Sequence, residues 1–356
     1  MSNKPSIRQR LGLELFRLEQ QQRRERHELH TLFWECTLRC NVNCQHCGSD
    51  CRSTAAQADM PREDFLRVID SITPYVDPHK VFVIFTGGEP LIRQDLETCG
   101  RELYQREYPW GIVTNGLALT PQRLESLLCA GLHCATVSLD GPEAAHNWLR
   151  RHPQSFRQAS EAIRLLSQSP EIRWDVVTCV NQHNFDRLPA FREYLIGLGV
   201  THWRIFTIFP AGRASAVPDL QLSDEQFTHL LDFIASTRQE GRIHLNFACE
   251  GFLGKYENRV RDYFYHCNAG ISVASVRIDG SISGCPSIRA NYDQGNIYQD
   301  DFMEVWNHRF EVFRDRSWAR RGVCTDCTMF RYCEGNGMHL HDDCGQLMTC
   351  HYHKIG

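Results

Sequence analysis

The sequence has little excess charge of either sign, no long apolar run and no export signal. Its 39 Lys and Arg stand against 43 Asp and Glu, a formal net charge of −4. That balance gives no overall pull toward a polyanion, so nucleic acid is not the expected partner. The longest plainly apolar run, Val81 to Phe85, is far short of the roughly 18 residues a spanning helix needs, and no membrane span is expected. The opening MSNKPSIRQRLGLELF has basic residues but neither an apolar core nor a small-residue cleavage site, which implies a cytoplasmic protein. Repeats and low-complexity tracts are missing. So are GxxxxGK[ST], GxGxxG after a strand and GxSxG, while His27-Glu28-Leu29-His30 is one residue short of HExxH. With 42% hydrophobic and 23% charged residues among 356, the composition is that of a folded globular chain, large enough for one α/β barrel or two domains.

Cysteine, by contrast, is abundant. Seventeen in a chain without an export signal point to metal or redox chemistry rather than disulfides. Eight fall in two dense groups: Cys36, Cys40, Cys44, Cys47 and Cys51 near the start, and Cys324, Cys327 and Cys333 near the end.

Apolar runs at 32–36, 81–88, 110–116, 134–141, 174–181 and 203–210 alternate with helix-spaced segments, the signature of βα units. Helical spacing links Phe65, Leu66, Ile69 and Ile72. It recurs in Leu124, Leu127 and Leu128 behind Thr120-Pro121, and in Phe156, Ala159, Ile163 and Leu166. Ser223 with Gln226 predicts a capping box opening a further helix. Six such units make a parallel, curved sheet whose chemistry belongs on loops at the C-terminal ends of the strands. After about residue 250 the composition shifts. Val276, Ile278, Asp279-Gly280 and Ile282 read as a hairpin with a two-residue turn, and Phe302, Val305, Trp306, Phe310 and Phe313 follow at helical spacing. The expected organisation is a helical segment at 1–30, a barrel at 31–235, a bridging region at 236–265 and a small Cys-rich domain at 266–356.

Cys40, Cys44 and Cys47 form CxxxCxxC just past the first strand. Three thiolates are one short of closing a [4Fe-4S] cube, which leaves one iron open; from spacing alone, a zinc site closed by Cys36, Cys51 or His46 is the alternative. Thr86-Gly87-Gly88-Glu89-Pro90 ends the second strand, Thr114-Asn115-Gly116 the third, Ser138-Leu139-Asp140-Gly141 the fourth and Asn181 the fifth. With these the chain resembles the radical S-adenosylmethionine (SAM) superfamily. The resemblance implies a partial (β/α)6 TIM-like barrel in which Cys40, Cys44 and Cys47 hold a [4Fe-4S] cluster whose open iron is chelated by SAM. It further implies that Gly87, Gly88, Glu89 and Pro90 hold the SAM amino group, that Asn115 lies at the third strand end, and that Ser138 and Asp140 lie near the ribose. Arg150, behind His146, would reach the carboxylate, for which a guanidinium fork is suited; Asn181 would line the fifth strand end and Ile208 would pack on adenine. His46 stands where many members carry an aromatic residue.

Cys267, twelve residues, Gly280, four residues and Cys285, then Cys324-x2-Cys327-x5-Cys333, Cys344 and Cys350 resemble the SPASM domain, CX9-15GX4C followed by CX2CX5CX3C and a last Cys. The resemblance implies one or two auxiliary [4Fe-4S] clusters. The far one would take Cys324, Cys327, Cys333 and Cys350. The nearer would take Cys267 and Cys285, with Cys344 as substitute for the thiolate missing at Gly337 and His339 or His341 as further candidates. A zinc ribbon is the alternative from spacing alone. The activity implied is reductive cleavage of SAM to a 5'-deoxyadenosyl radical that abstracts hydrogen from a peptide or protein substrate, possibly one encoded nearby, giving an oxidised or cross-linked product. The alternatives are a small-molecule dehydrogenase and a non-enzymatic iron-sulfur or zinc protein. A flavodoxin or ferredoxin is the expected electron donor. No substrate-side acid or base is identifiable, and with so little chain before Cys40 and after Cys350, any leader peptide is expected to dock elsewhere or on a separate protein.

Overall fold

The computed structural model describes residues 4–355; Met1, Ser2 and Asn3 of the expected N-terminal segment, and Gly356, lie outside the described residues. α1 (Ile7–Arg26) opens at a capping box in which Ser6 and Gln9 satisfy each other's backbone amides. It straps distant parts of the chain together. Gln9 donates to the carbonyls of Lys255 and Glu257, and Glu14 accepts from the Tyr332 hydroxyl at 2.6 Å.

The six apolar runs form β1 (Thr31–Thr37), β2 (Phe82–Gly87), β3 (Trp110–Thr114), β4 (Leu132–Ser138), β5 (Arg173–Val180) and β6 (His202–Thr207). Between and after them come α2 (Arg62–Ile72), α3 (Leu96–Gln105), α4 (Pro121–Cys129), α5 (Glu143–Arg150), α6 (Ser155–Ser167), α7 (Leu188–Gly197) and α8 (Asp224–Glu240). Thr120 caps α4 and the Ser223–Gln226 box caps α8. Neighbouring strands from β1 to β6 are all parallel, giving the α/β architecture expected.

Two features depart from the sequence reading. Residues 244–247, in the stretch expected only to bridge, form a seventh parallel strand, β7 (His244–Phe247), paired with β6. The hairpin, moreover, is no separate sheet: β8 (Val273–Val276) runs parallel to β1 from Thr31↔Val273 to Trp34↔Val276. β9 (Ser281–Ser283) and β10 (Gly295–Asn296) add antiparallel beyond it, so one sheet has the order β10-β9-β8-β1-β2-β3-β4-β5-β6-β7. Its turn is longer than two residues. Arg277 N donates to Ser281 O at 2.9 Å, Gly280 N to Arg277 O at 3.0 Å, and Gly280 sits at φ 84°, a type I turn closed by a left-handed glycine. The aromatic pattern at 302–313 is split into α9 (Phe302–His308) and α10 (Glu311–Arg314), with its apolar residues buried as expected.

Outward-facing aromatics carry the packing between sheet and helices. Trp34 of β1 stacks on Phe65 of α2 with centroids 4.3 Å apart and meets Phe85 of β2 at 5.1 Å. Trp203 of β6 meets Phe191 of α7 and Phe233 of α8 edge-on. On the opposite face Phe82, Thr136, Asp175, Arg204 and Asn246, from β2, β4, β5, β6 and β7, border one cavity of about 1530 Å3 near the starting ends of the strands. Shared lining of that kind requires a sheet curved into a partial barrel. Among the described residues no helix is long and apolar enough to cross a membrane.

Gly100 of α3 lies directly beneath Trp110, where an added Cβ would fall 2.1 Å from the indole. Gly100→Ala should therefore lower stability by about 1–3 kcal/mol through overpacking, despite alanine's better helix propensity. The urea midpoint checks this; an unchanged or raised midpoint contradicts it.

Candidate active site

The motif residues meet at the C-terminal edge of the sheet, at the opposite end from the large cavity. Cys40, Cys44 and Cys47 lie between β1 and α2 and border a smaller cavity of about 160 Å3, together with Gly87, Gly88, Glu89, Asn115, Ser138 and Arg150. The chain there has almost no regular structure, so its polar groups are met by neighbours. Gly88 N donates to Thr37 O at 2.7 Å and Glu89 N to Arg39 O at 2.9 Å. That approach explains both glycines: an added Cβ would fall 2.1 Å from Thr37 O at Gly87, which has φ 124°, and 2.0 Å from Arg39 O at Gly88.

The other side of the loop is held from β6. Arg213 donates to the carbonyls of Cys44 and Cys51 at 2.7 and 3.0 Å and to Asp50 at 2.8 Å, while its own amide bonds Cys47 O at 3.1 Å. Arg213 is not among the residues expected at this site from the sequence. An arginine following a strand-end glycine was the sole signal, and it is a weak one. Asn115 joins from β3, donating through Nδ2 to Asn41 at 2.7 Å.

The Glu89 carboxylate is buried and binds two strand ends together. It accepts from Leu91 N at 3.1 Å, Thr114 Oγ1 at 2.7 Å and Asn115 N at 2.7 Å, three of about four bonds that a carboxylate can take. Burial raises its pKa, against those hydrogen bonds and the Arg150 charge. Asp140 and Arg150 form a second buried unit, Arg150 Nε donating to Asp140 at 2.6 Å and Nη1 lying 3.7 Å from the Cys44 sulfur. Burial alone would raise Asp140, but the Arg150 charge and its hydrogen bond hold it down at about 2. Asp140 also accepts from Cys179 N at 2.9 Å.

Several expected residues stand behind this cavity rather than around it. Pro90 opens a short helical turn after Glu89. Asn181 is turned onto its own loop, accepting from His183 N at 2.9 Å and donating to Cys179 O at 3.3 Å. Ile208 packs with Leu149, Ala214 and Leu220. Two unassigned side chains do face it, His46 and Cys51. The His46 Nδ1 lacks a protein partner, and burial pushes that ring down to about 4. Hydrogen bonding from Cys51 draws the Cys47 thiol down to about 6 despite burial, with Arg213 assisting.

All seventeen cysteines are free. Cys324, Cys327, Cys333 and Cys350 form a second group: burial and then the charges of Cys350 and Cys327 push Cys324 up to about 11, and Cys350 and Cys324 both raise Cys333. Burial is the chief cause that pushes the Cys285 thiol up to about 12, and both Cys267 and Cys285 pack against the main hydrophobic core. Cys344 stands apart on an exposed turn, its amide on Asp342 and its carbonyl accepting from Arg321 at 3.1 Å.

This donor set fits iron-sulfur clusters. Soft thiols are grouped, one is already acidic, and an unpartnered imidazole nitrogen faces the first set. Among the described residues no three His, Cys, Asp or Glu side chains close around a single ion; a cubane gives each thiolate its own iron and needs no such convergence.

His146 accepts from Asp140 N through Nδ1 at 2.9 Å and bonds Ser155 through Nε2 at 2.9 Å, so the neutral ring is the one that fits. Burial depresses it from 6.5 to about 3. Its contribution to stability is complete above about pH 6.5 and is lost as pH falls toward that lower value, about 2 kcal/mol between pH 7 and pH 5 for one such site. His146→Asn should flatten the pH dependence of the unfolding midpoint by that order; an identical dependence contradicts the assignment.

Residues 34–195 match the model of the radical SAM superfamily and residues 267–328 that of an iron-sulfur cluster-binding domain, SPASM. The AdoMet-dependent heme synthase of Nitratidesulfovibrio vulgaris is 24% identical over 320 residues, 85% of each chain. The mycofactocin maturase MftC of Mycolicibacterium smegmatis is 29% identical, over 86% of this chain and 78% of its own. The solved structure of anSMEcpe with bound AdoMet and the Cp18Cys peptide superposes with a TM-score of 0.66 at 18% identity, covering 89% of this chain and 90% of that one. The two models together match more than half of the chain and fall on the two thiol-bearing regions. This protein therefore belongs to the radical SAM superfamily: it is an enzyme whose radical SAM domain binds a [4Fe-4S] cluster with SAM and whose SPASM domain is an iron-sulfur cluster-binding domain.

Proposed function

We propose that this chain oxidises or cross-links a peptide or protein substrate in the cytoplasm, with residues 31–235 as the SAM-binding barrel, 236–265 as a bridge and 266–356 carrying the auxiliary clusters. The observation that carries this reading is that the two regions meet at the C-terminal ends of the barrel strands. Glu250, beyond β7, accepts from Thr207 N at the end of β6 at 2.7 Å, lies 3.3 Å from His351 and takes Gly337 N on its carbonyl at 3.2 Å, while Phe209 meets His339 with ring centroids 4.9 Å apart. A substrate between them would meet hydrogen abstraction at one end and an electron acceptor at the other.

Bound together, the first cluster and SAM supply one-electron reductive cleavage and hydrogen abstraction, the electron coming from a flavodoxin or ferredoxin. On this reading Cys40, Cys44 and Cys47 hold that cluster and Arg150, whose Nε is committed to Asp140, offers its remaining donors to the SAM carboxylate. Glu89 offers its one free acceptor position, with the Gly87 and Gly88 backbone, to the amino group. Ser138 and Asn115 flank the sugar. Asp140, Asn181, Pro90 and Ile208 act from behind, by setting the loops. Cys324, Cys327, Cys333 and Cys350 hold the far auxiliary cluster, and Cys267 and Cys285 take part in the nearer.

A peptide substrate is supported by the maturase relative and by the peptide in the superposed structure. A second reading, oxidation of a porphyrin, is favoured by the alignment to a heme synthase over 85% of both chains. Anaerobic incubation with SAM, dithionite and deuterated substrate separates them. Deuterium should enter 5'-deoxyadenosine from a Cys-, Ser- or Thr-containing precursor peptide encoded beside this gene, and the peptide should lose hydrogen. Transfer from an iron porphyrin alone would move the assignment to the second reading, and transfer from neither would remove both.

Cys40→Ala/Cys44→Ala/Cys47→Ala should abolish 5'-deoxyadenosine formation while iron persists in the C-terminal region. Glu89→Gln should keep its iron and weaken SAM binding about tenfold, the cost of one charge-assisted bond; unchanged SAM affinity by calorimetry contradicts the role.

A further inference from the structure

The barrel interior carries charged groups for which the site at the strand ends has no use. The cavity of about 1530 Å3 near the starting ends of the strands and the smaller one beside Cys40, Cys44 and Cys47 share two strand faces. Ile84 and Thr136 line the larger cavity, and Thr86 and Ser138, two residues further along β2 and β4, line the smaller. Successive residues on one face of a strand are about 6–7 Å apart. The large cavity therefore reaches to within one side chain of the smaller one, and its volume exceeds the roughly 300–1,000 Å3 of an ordinary small-molecule site.

Arg204 of β6 lines this cavity and belongs to a network across three strands. Its Nε and Nη2 both donate to the Asp175 carboxylate of β5, Nη2 at 3.1 Å, and Nη2 also donates to Thr136 Oγ1 of β4 at 3.0 Å. The Thr136 hydroxyl in turn donates to Asp175 Oδ1 at 2.7 Å. The guanidinium is thereby fixed in one orientation with Nη1 left over. Among the described residues Nη1 makes no hydrogen bond, and the side chain keeps 42% of its surface open. The parallel ladders already tie β4, β5 and β6 together, so a strut alone does not account for the unused donors.

The charge balance is an independent observation. Arg173, two residues before Asp175 on the same face of β5, also lines the cavity and is exposed, with no ion-pair partner among the described residues. The other acids of the lining, Glu107 and Glu171, fall before β3 and β5 begin. Within the strands two guanidinium groups thus stand against one carboxylate, which leaves one positive charge unmatched.

We propose that Arg204, aided by the Arg173 charge on the neighbouring strand, binds a carboxylate of the substrate and so selects an acidic substrate for the barrel interior. Nη1 offers two N–H donors to that carboxylate; Asp175 and Thr136 are positioning residues that aim them. The proposal rests on the reading that this barrel takes the substrate in. A peptide brings the carboxylate on Asp, Glu or its C-terminus, and a porphyrin brings it on its acid side chains.

The test is a cycle of binding measurements on the enzyme reconstituted without oxygen and supplied with SAM. The precursor peptide encoded beside this gene is offered with free carboxylates and with the same groups as amides, and an iron porphyrin is offered with free acid side chains and as its methyl ester. For the substrate class that is correct, masking the carboxylates should weaken binding about tenfold, Arg204→Gln should weaken the acid form by about the same factor, and both changes together should cost no more than either alone. Iron content and SAM affinity should not move. Such coupling with the peptide supports the proposal and the peptide reading together; coupling with the porphyrin alone keeps the role of Arg204 and removes the peptide. No loss on masking, or equal loss of acid and masked forms on Arg204→Gln, overturns the proposal and leaves the peptide reading standing where the peptide is turned over. Binding of neither acid form overturns it outright. Should Arg204→Gln reduce recovery of folded chain, Asp175→Asn/Arg204→Gln, which removes both charges at once, is taken through the same cycle and judged by the same outcomes.

Discussion

The loop that carries Cys40, Cys44 and Cys47 has almost no hydrogen-bonding ladder of its own, and its need for partners organises the site. Buried backbone must be paired, so every neighbouring strand end contributes: Gly88 and Glu89 from β2, Asn115 from β3, Arg150 beyond β4 and Arg213 beyond β6. The two glycines are there because Thr37 O and Arg39 O occupy the space of a side chain. The same contacts that hold the thiols also fix the strand ends relative to one another.

Charge is arranged around that loop in buried pairs. Asp140 and Arg150, 2.6 Å apart, are both shielded from water, and removing either would leave an uncompensated charge at a typical cost of about 3–5 kcal/mol. The pair is anchored further by the Cys179 amide and by the neutral His146, so the guanidinium is oriented before any ligand arrives. Glu89 behaves alike: it is held by three donors and keeps one acceptor position facing the cavity. Such preorganisation reduces what must reorder on binding.

The C-terminal region is joined to the barrel through the sheet itself. β8 adds to β1 in parallel register, β9 and β10 extend it, and α1 bonds Lys255, Glu257 and Tyr332 from outside. A hairpin on its own is marginal in water; paired with β1 it gains a buried neighbour. This continuity fixes Cys285, just past β9, relative to the barrel strands.

What the sequence by itself determined was local. CxxxCxxC and CX2CX5C are short enough for spacing to imply a common site, and six strands announce themselves as apolar runs. Capping at Thr120 and Ser223 depends on neighbours three residues away. Tertiary structure decided the rest, because the causes lie far apart in the chain. His244–Phe247 is four residues with two of them polar, and only β6 makes it a strand. Arg213 reads as part of a turn until the loop of Cys44 and Cys51 is laid against it. The strand-end placing of Asn181 and Ile208 is legible in the sequence; which groups their side chains meet, His183 N and Leu149, only the folded loops decided.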